Sequence, residues 1–387
     1  MSGVPHFPRI DAEADGHRFA FVTDAPERFD LLIATIEAAR RKLRLLFYIY
    51  GDGEAGQRVN DALIEARNRG VEVVLFVDGF GTSAEPDAFY APLVEAGVRF
   101  ARFFPTYGRR YLLRNHQKIL IADDRYALIG GSNIEDGYYF PDKDGQCWHD
   151  LLVRIEGEAV GRLVAYFDGV DRWMTDGKSR LRSLTRLLAK HSDKAGPVRW
   201  LMGGPFKRPS PLAVALRIDV AAAKQMDMIQ AYFAPNYGWL RRLSGLARRG
   251  RFRMIGAATS DNHTTIAAAR HCYRRLLKGG AEIYEFLPRR LHMKLQVIDD
   301  VVYAGSANFD VRSLFLNAEV MIRIEDAALA ERMRGYVADH CTYSKIITKE
   351  AHRARSTWPM RLRWFFGYWI LTALDFNLAR NLNWKRS

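Results

Sequence analysis

The chain has 387 residues, 48% hydrophobic and 26% charged, a balance that fits folded globular protein and excludes a disordered or collagen-like polypeptide. Lys and Arg number 58 against 44 Asp and Glu, and the resulting formal net charge of +14 points to a polyanionic partner, either nucleic acid or an anionic membrane surface. The length fits two domains better than one, and three scattered cysteines without a CxxC argue against a disulfide scaffold or a cysteine zinc site.

The first residues, MSGVPHFPRIDAEADGHRF, lack the basic-then-apolar layout of a secretory signal. Residues 43–50 (LRLLFYIY) predict a buried strand. Residues 59–69 have helical spacing and stop at Gly70, and 71–77 (VEVVLFV) predict the next strand. A helix over 88–96 ends at Gly97, and 98–104 form a further strand. This alternation predicts an α/β fold, a mixed but mainly parallel sheet flanked by helices.

From 178 to 208 the only acid is Asp193. Leu181, Leu184, Leu187 and Leu188 there mark one apolar helix face, ringed by Arg180, Arg182, Arg186 and Lys190. The segment reads as a solvated helix and linker, with a patch for phosphate-bearing surfaces as the functional alternative. Pro and Gly accumulate over 196–211, which marks a boundary. The earlier order then returns, with a strand over 226–233, a helix over 239–249 stopped by Gly250, a strand over 251–257, a helix over 265–277 and a strand over 281–286. A period near half the chain length implies an internal duplication. The expected units are 1–195, 196–350 and a basic aromatic segment, 351–387, that contacts membrane. No stretch reaches the ~20 apolar residues of a spanning helix. The nearest is the run from Trp364 to Leu374, preceded by Arg361 and Arg363 and followed by Arg380, Lys385 and Arg386, a layout suited to a membrane interface.

Each half carries one local pattern. The first is His116-Gln-Lys118, then Asp123-Asp124, then Gly130-Gly131-Ser132-Asn133; the second is His292-Met-Lys294, then Asp299-Asp300, then Gly305-Ser306-Ala307-Asn308. Positions two apart on a strand share a face, so His and Lys are expected to project together. The Asp pair reads as a turn, and the hairpin it closes returns the Asn beside the His-Lys end. Imidazole, ammonium and carboxamide converging on one spot suit a phosphodiester. Lys and Asn hold the non-bridging oxygens, a neutral His attacks phosphorus and a protonated His donates to the leaving oxygen. One His cannot do both in one step, and two copies supply both.

These residues resemble the phospholipase D superfamily, whose signature H-x-K-x4-D-x6-G-[GS]-x-N occurs twice. The first copy fits throughout, and the second is one residue shorter between Asp299 and Gly305. The resemblance implies two duplicated α/β domains with the active site between them, a phosphohistidine intermediate and no metal or cofactor. It makes His116, Lys118, Asn133, His292, Lys294 and Asn308 catalytic, and Asp123 and Asp299 structural. It also implies an acid downstream of each Asn that orients a motif His, here Asp150 and Glu319. Arg114-Asn115-His116, Asn308-Phe-Asp-Val-Arg312-Ser313 and Leu316-Asn317-Ala-Glu319 are similar to the bacterial cardiolipin synthase group.

That group implies transfer of a phosphatidyl group between two phosphatidylglycerols, giving cardiolipin and glycerol. Its expected setting is peripheral contact with a bacterial-type inner membrane on the cytoplasmic side, with anionic phospholipid rather than nucleic acid as partner and no oligomer required. His116 is taken as nucleophile and His292 as general acid, with the reverse assignment open. Hydrolysis to phosphatidic acid is the alternative, followed by a nuclease on the same scaffold and an inactive membrane scaffold. The insertion that precedes His116, with Phe103, Phe104, Tyr107, Arg109 and Arg110, is expected to line the lipid entrance. His263 reads as a loop residue and His149 has no assigned role.

Overall fold

The apolar runs of the two halves build two sheets of the same design. The computed structural model describes residues 5–103, 113–175, 181–260 and 262–374. The first sheet has the order Ile10–Ala14, His17–Val22, Leu152–Glu156, Tyr126–Gly130, Ile119–Ala122, Lys42–Phe47, Glu72–Asp78, Arg99–Phe103. The second runs Val198–Gly203, Glu319–Glu325, Val301–Gly305, Lys294–Ile298, Gln225–Gln230, Arg251–Ala257, Glu282–Phe286, repeating the first from its second strand onward, and Ser344–Ile346 completes the far edge. Helices Ala25–Ala38 and Pro211–Ala222 occupy the same place in each repeat. Both start from a side-chain cap, Asp24 or Ser210, with a proline in the first turn, which satisfies and pre-orders the helix start.

The expectation of α/β halves with mixed sheets flanked by helices is met, but the sheets are not mainly parallel. Only the two junctions among Lys42–Phe47, Glu72–Asp78 and Arg99–Phe103, and their second-half counterparts, run parallel. The other five junctions of each sheet are antiparallel. Connection length is part of the reason, at the junctions of the motif hairpins. Helical crossovers permit parallel neighbours, whereas the motif strands are joined by tight turns that force reversal. The 226–233 run also breaks, because Phe233–Ala234 leaves the sheet to pair with Phe309–Asp310.

The two motif hairpins differ by one turn residue. Ala122 pairs with Tyr126 across three residues, whereas Ile298 pairs with Val301 across two. The shortening of the second motif is thereby absorbed in the turn, and Gly130 and Gly305 keep equivalent strand-end positions beside Leu152 and Met321.

Ile119, Ile129 and Val153 of the first sheet share one buried apolar cluster with Leu295, Val302 and Val320 of the second. Helices Glu158–Thr175 and Ala327–Thr342 contribute Leu163, Phe167, Met333 and Val337 to it. The halves are thus joined by a common core, and separate clusters lie outside each sheet.

Phe103 is buried against Trp173, with ring centroids 5.3 Å apart, so it packs into the core and does not line an entrance. Phe104, Tyr107, Arg109, Arg110, Arg180, Arg380, Lys385 and Arg386 lie outside the described residues. Near the C-terminus, helix Trp358–Trp369 lies along helix His263–Gly279. The approach requires Gly367, because a Cβ there would stand 2.9 Å from Ala267 Cβ and 3.2 Å from Thr264 O. Among the described residues no helix is long and apolar enough to cross a membrane.

Candidate active site

His116 and His292 lie just before their strands, which begin at Ile119 and Lys294, so strand alternation is not what pairs His with Lys. Each ammonium instead curls back under its histidine. Lys118 Nζ donates to His116 O at 2.7 Å, and Lys294 Nζ donates to His292 O. Each histidine segment is held by the other half of the molecule. His116 N donates to Ala318 O at 2.9 Å while Ala318 N donates to Arg114 O at 2.9 Å. In the same way His149 N donates to Arg290 O and His292 N to His149 O, both at 2.8 Å.

The side chains cross as the backbone does. His116 Nδ1 lies 3.1 Å from Glu319 Oε2, and His292 Nδ1 lies 2.8 Å from Asp150 Oδ2. Each downstream acid therefore orients the histidine of the opposite half. A carboxylate on Nδ1 favours the proton there and leaves Nε2 with the lone pair, the state a nucleophile or proton acceptor needs, although at His292 the Lys294 ammonium also stands 2.9 Å from the same Nδ1. Ser306 Oγ steadies Glu319, and Ser132 Oγ donates to Asp150 at 3.2 Å. Gly131 stands where Ser306 stands in the second motif, and it must lack a side chain because a Cβ would come within 2.5 Å of Asp150 Oδ1.

Burial and charge set the two sites apart. Burial, reinforced by Lys118, Lys294 and Arg114, pushes His116 well below the usual imidazole range. Burial and then Lys294 bring His292 down to about 3, against the pull of Asp150. Burial alone would raise Asp150, but His292, Lys294 and Arg28 outweigh it and hold the carboxyl below its usual range. For Glu319 burial outweighs Lys118, the Ser306 and Ser313 hydroxyls and Lys294, and pushes the carboxyl up to about 7. Burial likewise lowers Lys118 to about 7 and Lys294 to about 8. Both imidazoles are thus neutral at rest in a field of buried cations, ready to receive an anion.

His116 and Asn308 line one cavity of about 360 Å³, together with Tyr48, Arg114, Arg312 and Asn317. Asn308 Oδ1 is buried without a hydrogen-bond partner. Asn133 is fixed instead by Ile49 N, which donates to its Oδ1 at 3.2 Å, and its Nδ2 donates to Tyr138 OH at 3.2 Å. That hydroxyl lies 3.4 Å from His292 Nε2. Asn308 thus shares a cavity with His116, and Asn133 reaches His292 through Tyr138, so each motif Asn is linked to the opposite half's histidine. His116 is 12% exposed and His292 only 5%.

Asp123 and Asp299 sit in the hairpin turns with φ of 53° and 45°, which Asp tolerates better than most residues. Asp123 accepts from the backbone N–H groups of Arg40, Arg41 and Lys42, and Asp299 from those of Lys224 and Gln225. Both are far from the imidazoles in this bonding network. His263 opens helix His263–Gly279 behind the Asn262 cap. His149 faces His340, Nε2 to Nε2 at 2.7 Å, beneath the Asp150 segment. Among the described residues no cluster of three or more His, Cys, Asp or Glu is disposed to hold a metal ion.

A family model described as "Cardiolipin synthase, PLD-like domain" matches residues 32–170 and 217–340. The chain belongs to this PLD-like family. Cardiolipin synthase 1 of Bacillus cereus is 30% identical over 324 residues, covering 80% of this chain and 63% of that protein. The chain thus spans less than two thirds of that relative's length. Cardiolipin synthase B of Salmonella typhimurium is 28% identical over 341 residues, covering 84% of this chain and 82% of its own. In fold, phosphatidylserine synthase of Haemophilus influenzae superposes with a TM-score of 0.75 at 14% identity, covering 96% of this chain and 97% of its own.

Several groups around the motifs of this PLD-like chain escaped the sequence pattern. Arg28 is fully buried. It donates to Tyr138 O and Trp148 O at 2.9 Å each, to Thr23 O at 3.2 Å, and to Ser132 Oγ. Nothing in a lone arginine on an apolar helix face advertises that role. Tyr138, Trp148 and Tyr232 surround His292 edge-on, with centroids 5.1, 5.4 and 5.9 Å away, and Tyr48 stands 5.0 Å from His116.

Proposed function

We propose that this PLD-like chain is a phosphatidyltransferase of the cardiolipin synthase type. It takes the phosphatidyl group of one phosphatidylglycerol and passes it to a hydroxyl of a second, giving cardiolipin and glycerol. The observation that carries the reading is the crosswise pairing. Two neutral imidazoles, each oriented through Nδ1 by a carboxylate of the opposite half, stand within one pair of buried lysines.

His116 is the nucleophile, supported by its greater exposure and its place on the cavity wall. An anionic phosphodiester binding near Lys118 and Lys294 offsets the cationic field that keeps His292 neutral, so His292 takes up a proton beside ionised Asp150. His116 Nε2 then attacks phosphorus. The P–N bond forms, the P–O bond to the departing glycerol breaks, and His292 Nε2 delivers its proton to that oxygen. In the second step His292 accepts the proton of the incoming lipid hydroxyl, whose oxygen displaces His116. Lys118, Lys294 and the carboxamides of Asn133 and Asn308 hold the non-bridging oxygens as charge develops. Substrate and product are both lipids, so the chain works in peripheral contact with a membrane, on this reading the cytoplasmic face of a bacterial inner membrane.

Incubation with phosphatidylglycerol vesicles in EDTA, read by mass spectrometry beside His116→Ala and His292→Ala, tests this. Cardiolipin plus glycerol, absent from both variants, is the expected result. Phosphatidic acid in place of cardiolipin would make water the acceptor, and nuclease activity lost with His116→Ala and no lipid turnover would overturn the assignment.

A further inference from the structure

A second cavity, of about 820 Å³, opens between helices His263–Gly279, Lys349–Arg355 and Trp358–Trp369. Its volume falls within the range that holds small-molecule and cofactor ligands. Its polar lining is cationic, with Arg274, Lys278, Lys349, Arg353 and Arg361 all facing it. The three helices carry a single acid, Glu350, and it is not among the lining residues. Glu285, the buried acid beneath these helices, is already engaged by Arg270 at 2.9 Å and Arg355 at 3.5 Å. Among the described residues no salt bridge joins any of the five lining cations to a carboxylate. All five are solvent-exposed, so the cluster stands open to an anionic ligand. The local field is felt by His352, which burial lowers against Glu285, with Arg274, Arg355 and Arg361 adding to the lowering.

The rim is apolar. Leu362 and Phe365 line the mouth beside Trp358, which is 74% exposed, and Phe366, Trp369 and Ile370 continue the exposed strip along the same helix. Exposed aromatics next to unpaired cations match a boundary where acyl chains meet anionic headgroups. The helix itself is held firmly. Trp364 is buried and stacks on His352 at 5.2 Å, and Tyr368 stacks on His271 at 4.7 Å.

The position is as telling as the lining. Helices His263–Gly279 and Trp358–Trp369 run side by side, and the cavity of His116 is reached by Thr265 of the first and by Leu371 in the Ile370–Leu374 turn that follows the second. From Thr265 to Lys278 is about 20 Å of helix at 1.5 Å per residue. The second cavity reaches back to His271 and Phe365, but its helix cations, Arg274 and Lys278, lie about 14–20 Å along the helix from Thr265, too far for one phosphate to touch both.

We infer that this cavity is a docking site for the phosphate-bearing headgroup of an anionic phospholipid in the bilayer, distinct from the lipid that reacts, with its acyl chains lying on the Trp358–Ile370 strip. It deepens the membrane contact of the proposed function and rests on that reading. The site anchors the protein so that the His116 cavity faces the same leaflet.

The test compares the full chain with a variant carrying Arg274→Ser, Lys278→Ser, Arg353→Ser and Arg361→Ser, and with Trp358→Ser. Binding is read by co-sedimentation with phosphatidylcholine vesicles with and without phosphatidylglycerol. Turnover is read separately on a phosphatidylglycerol short enough to stay monomeric. Each cation near an anionic surface contributes about fivefold, so the quadruple variant should lose on the order of several hundred-fold in partitioning to the anionic vesicles. Its rate on monomeric substrate and its melting temperature should be unchanged. Trp358→Ser should weaken binding to both vesicle types.

Undiminished binding by the folded quadruple variant overturns the inference, as does an equal loss of monomer turnover. Should the quadruple variant unfold, Arg361→Gln alone must weaken anionic binding severalfold, or the inference falls. Saturable binding of inorganic phosphate by the wild type with no vesicle effect of the substitutions would assign the site to a soluble anion and overturn it. If lipid turnover is never seen but anionic binding depends on the four cations, the docking site stands and the proposed reaction falls. Intact turnover with charge-insensitive binding gives the reverse.

Discussion

The two half-sites are built from the same motif yet differ in what stands behind the imidazole. Asp150, which serves His292, receives a serine hydroxyl and lies in a network with fully buried Arg28. Glu319, which serves His116, receives a serine hydroxyl and, among the described residues, no arginine hydrogen bond, since the second-half helix Pro211–Ala222 has Val214 at the place of Arg28. One carboxylate is therefore locked in its ionised form, while the other titrates near neutrality. The duplication conserved geometry and let electrostatics diverge, which suits two histidines with unequal tasks. On the proposed assignment, a fixed carboxylate suits His292, which would carry the proton, and a softer one suits His116, whose lone pair would attack.

The sharpest break of that comparison is to remove each imidazole. His116→Ala and His292→Ala should each cost at least ~10²–10⁴-fold in lipid transfer. With a p-nitrophenyl phosphodiester the leaving group needs no acid. His292→Ala should then keep a burst of nitrophenolate that His116→Ala lacks, and the reverse pattern would exchange the two roles.

Next come the carboxylates. Asp150→Asn should lose about 10³-fold because the imidazole loses both its tautomer and its counter-charge, and Glu319→Gln about tenfold at pH 7. Equal losses would mean the asymmetry has no catalytic weight.

The pH profile sharpens the same point. Glu319 gains its charge as pH rises through about 7, and Lys118 loses its own over the same range. Activity should therefore follow a narrow bell near pH 7, with its acid limb from Glu319 and its alkaline limb from Lys118. Glu319→Gln should abolish the acid limb and leave the alkaline one.

Arg28→Met would leave the carbonyls of Thr23, Tyr138 and Trp148 without their donor, at a cost of about 2–4 kcal/mol in a urea titration. It should also shift His292-dependent kcat without shifting KM. The smallest contrast lies in the turns. Asp123→Ala removes an acceptor for three backbone amides and Asp299→Ala for two, so the first should destabilise by about 2 kcal/mol and the second by about 1, both with unchanged kcat.

Much of this was legible in the chain. Paired His-x-Lys motifs, the Asp turns and the downstream acids are short-range patterns, and each half's βαβ stretch shows in its apolar runs. Strand direction was not legible, because period and propensity report that Ile119–Ala122 is a buried strand but not which way its neighbour runs. The crossing of Asp150 to His292 was equally hidden. It depends on how two sheets meet around Ile129 and Val302, a contact without local trace. Arg28 looked like any charge on a helix, and only its surroundings reveal it.

The crosswise exchange also has a bearing on how the protein comes into being. His116 and its acid Glu319 are separated by 203 residues. During synthesis the first motif leaves the ribosome complete in letters and incomplete in chemistry, and its histidine gains an orienting partner only when the second motif and Glu319 beyond it have emerged. A nascent chain that has not yet reached Glu319 therefore lacks the carboxylate that orients His116, and on the proposed assignment the nucleophile is assembled only after that residue has emerged.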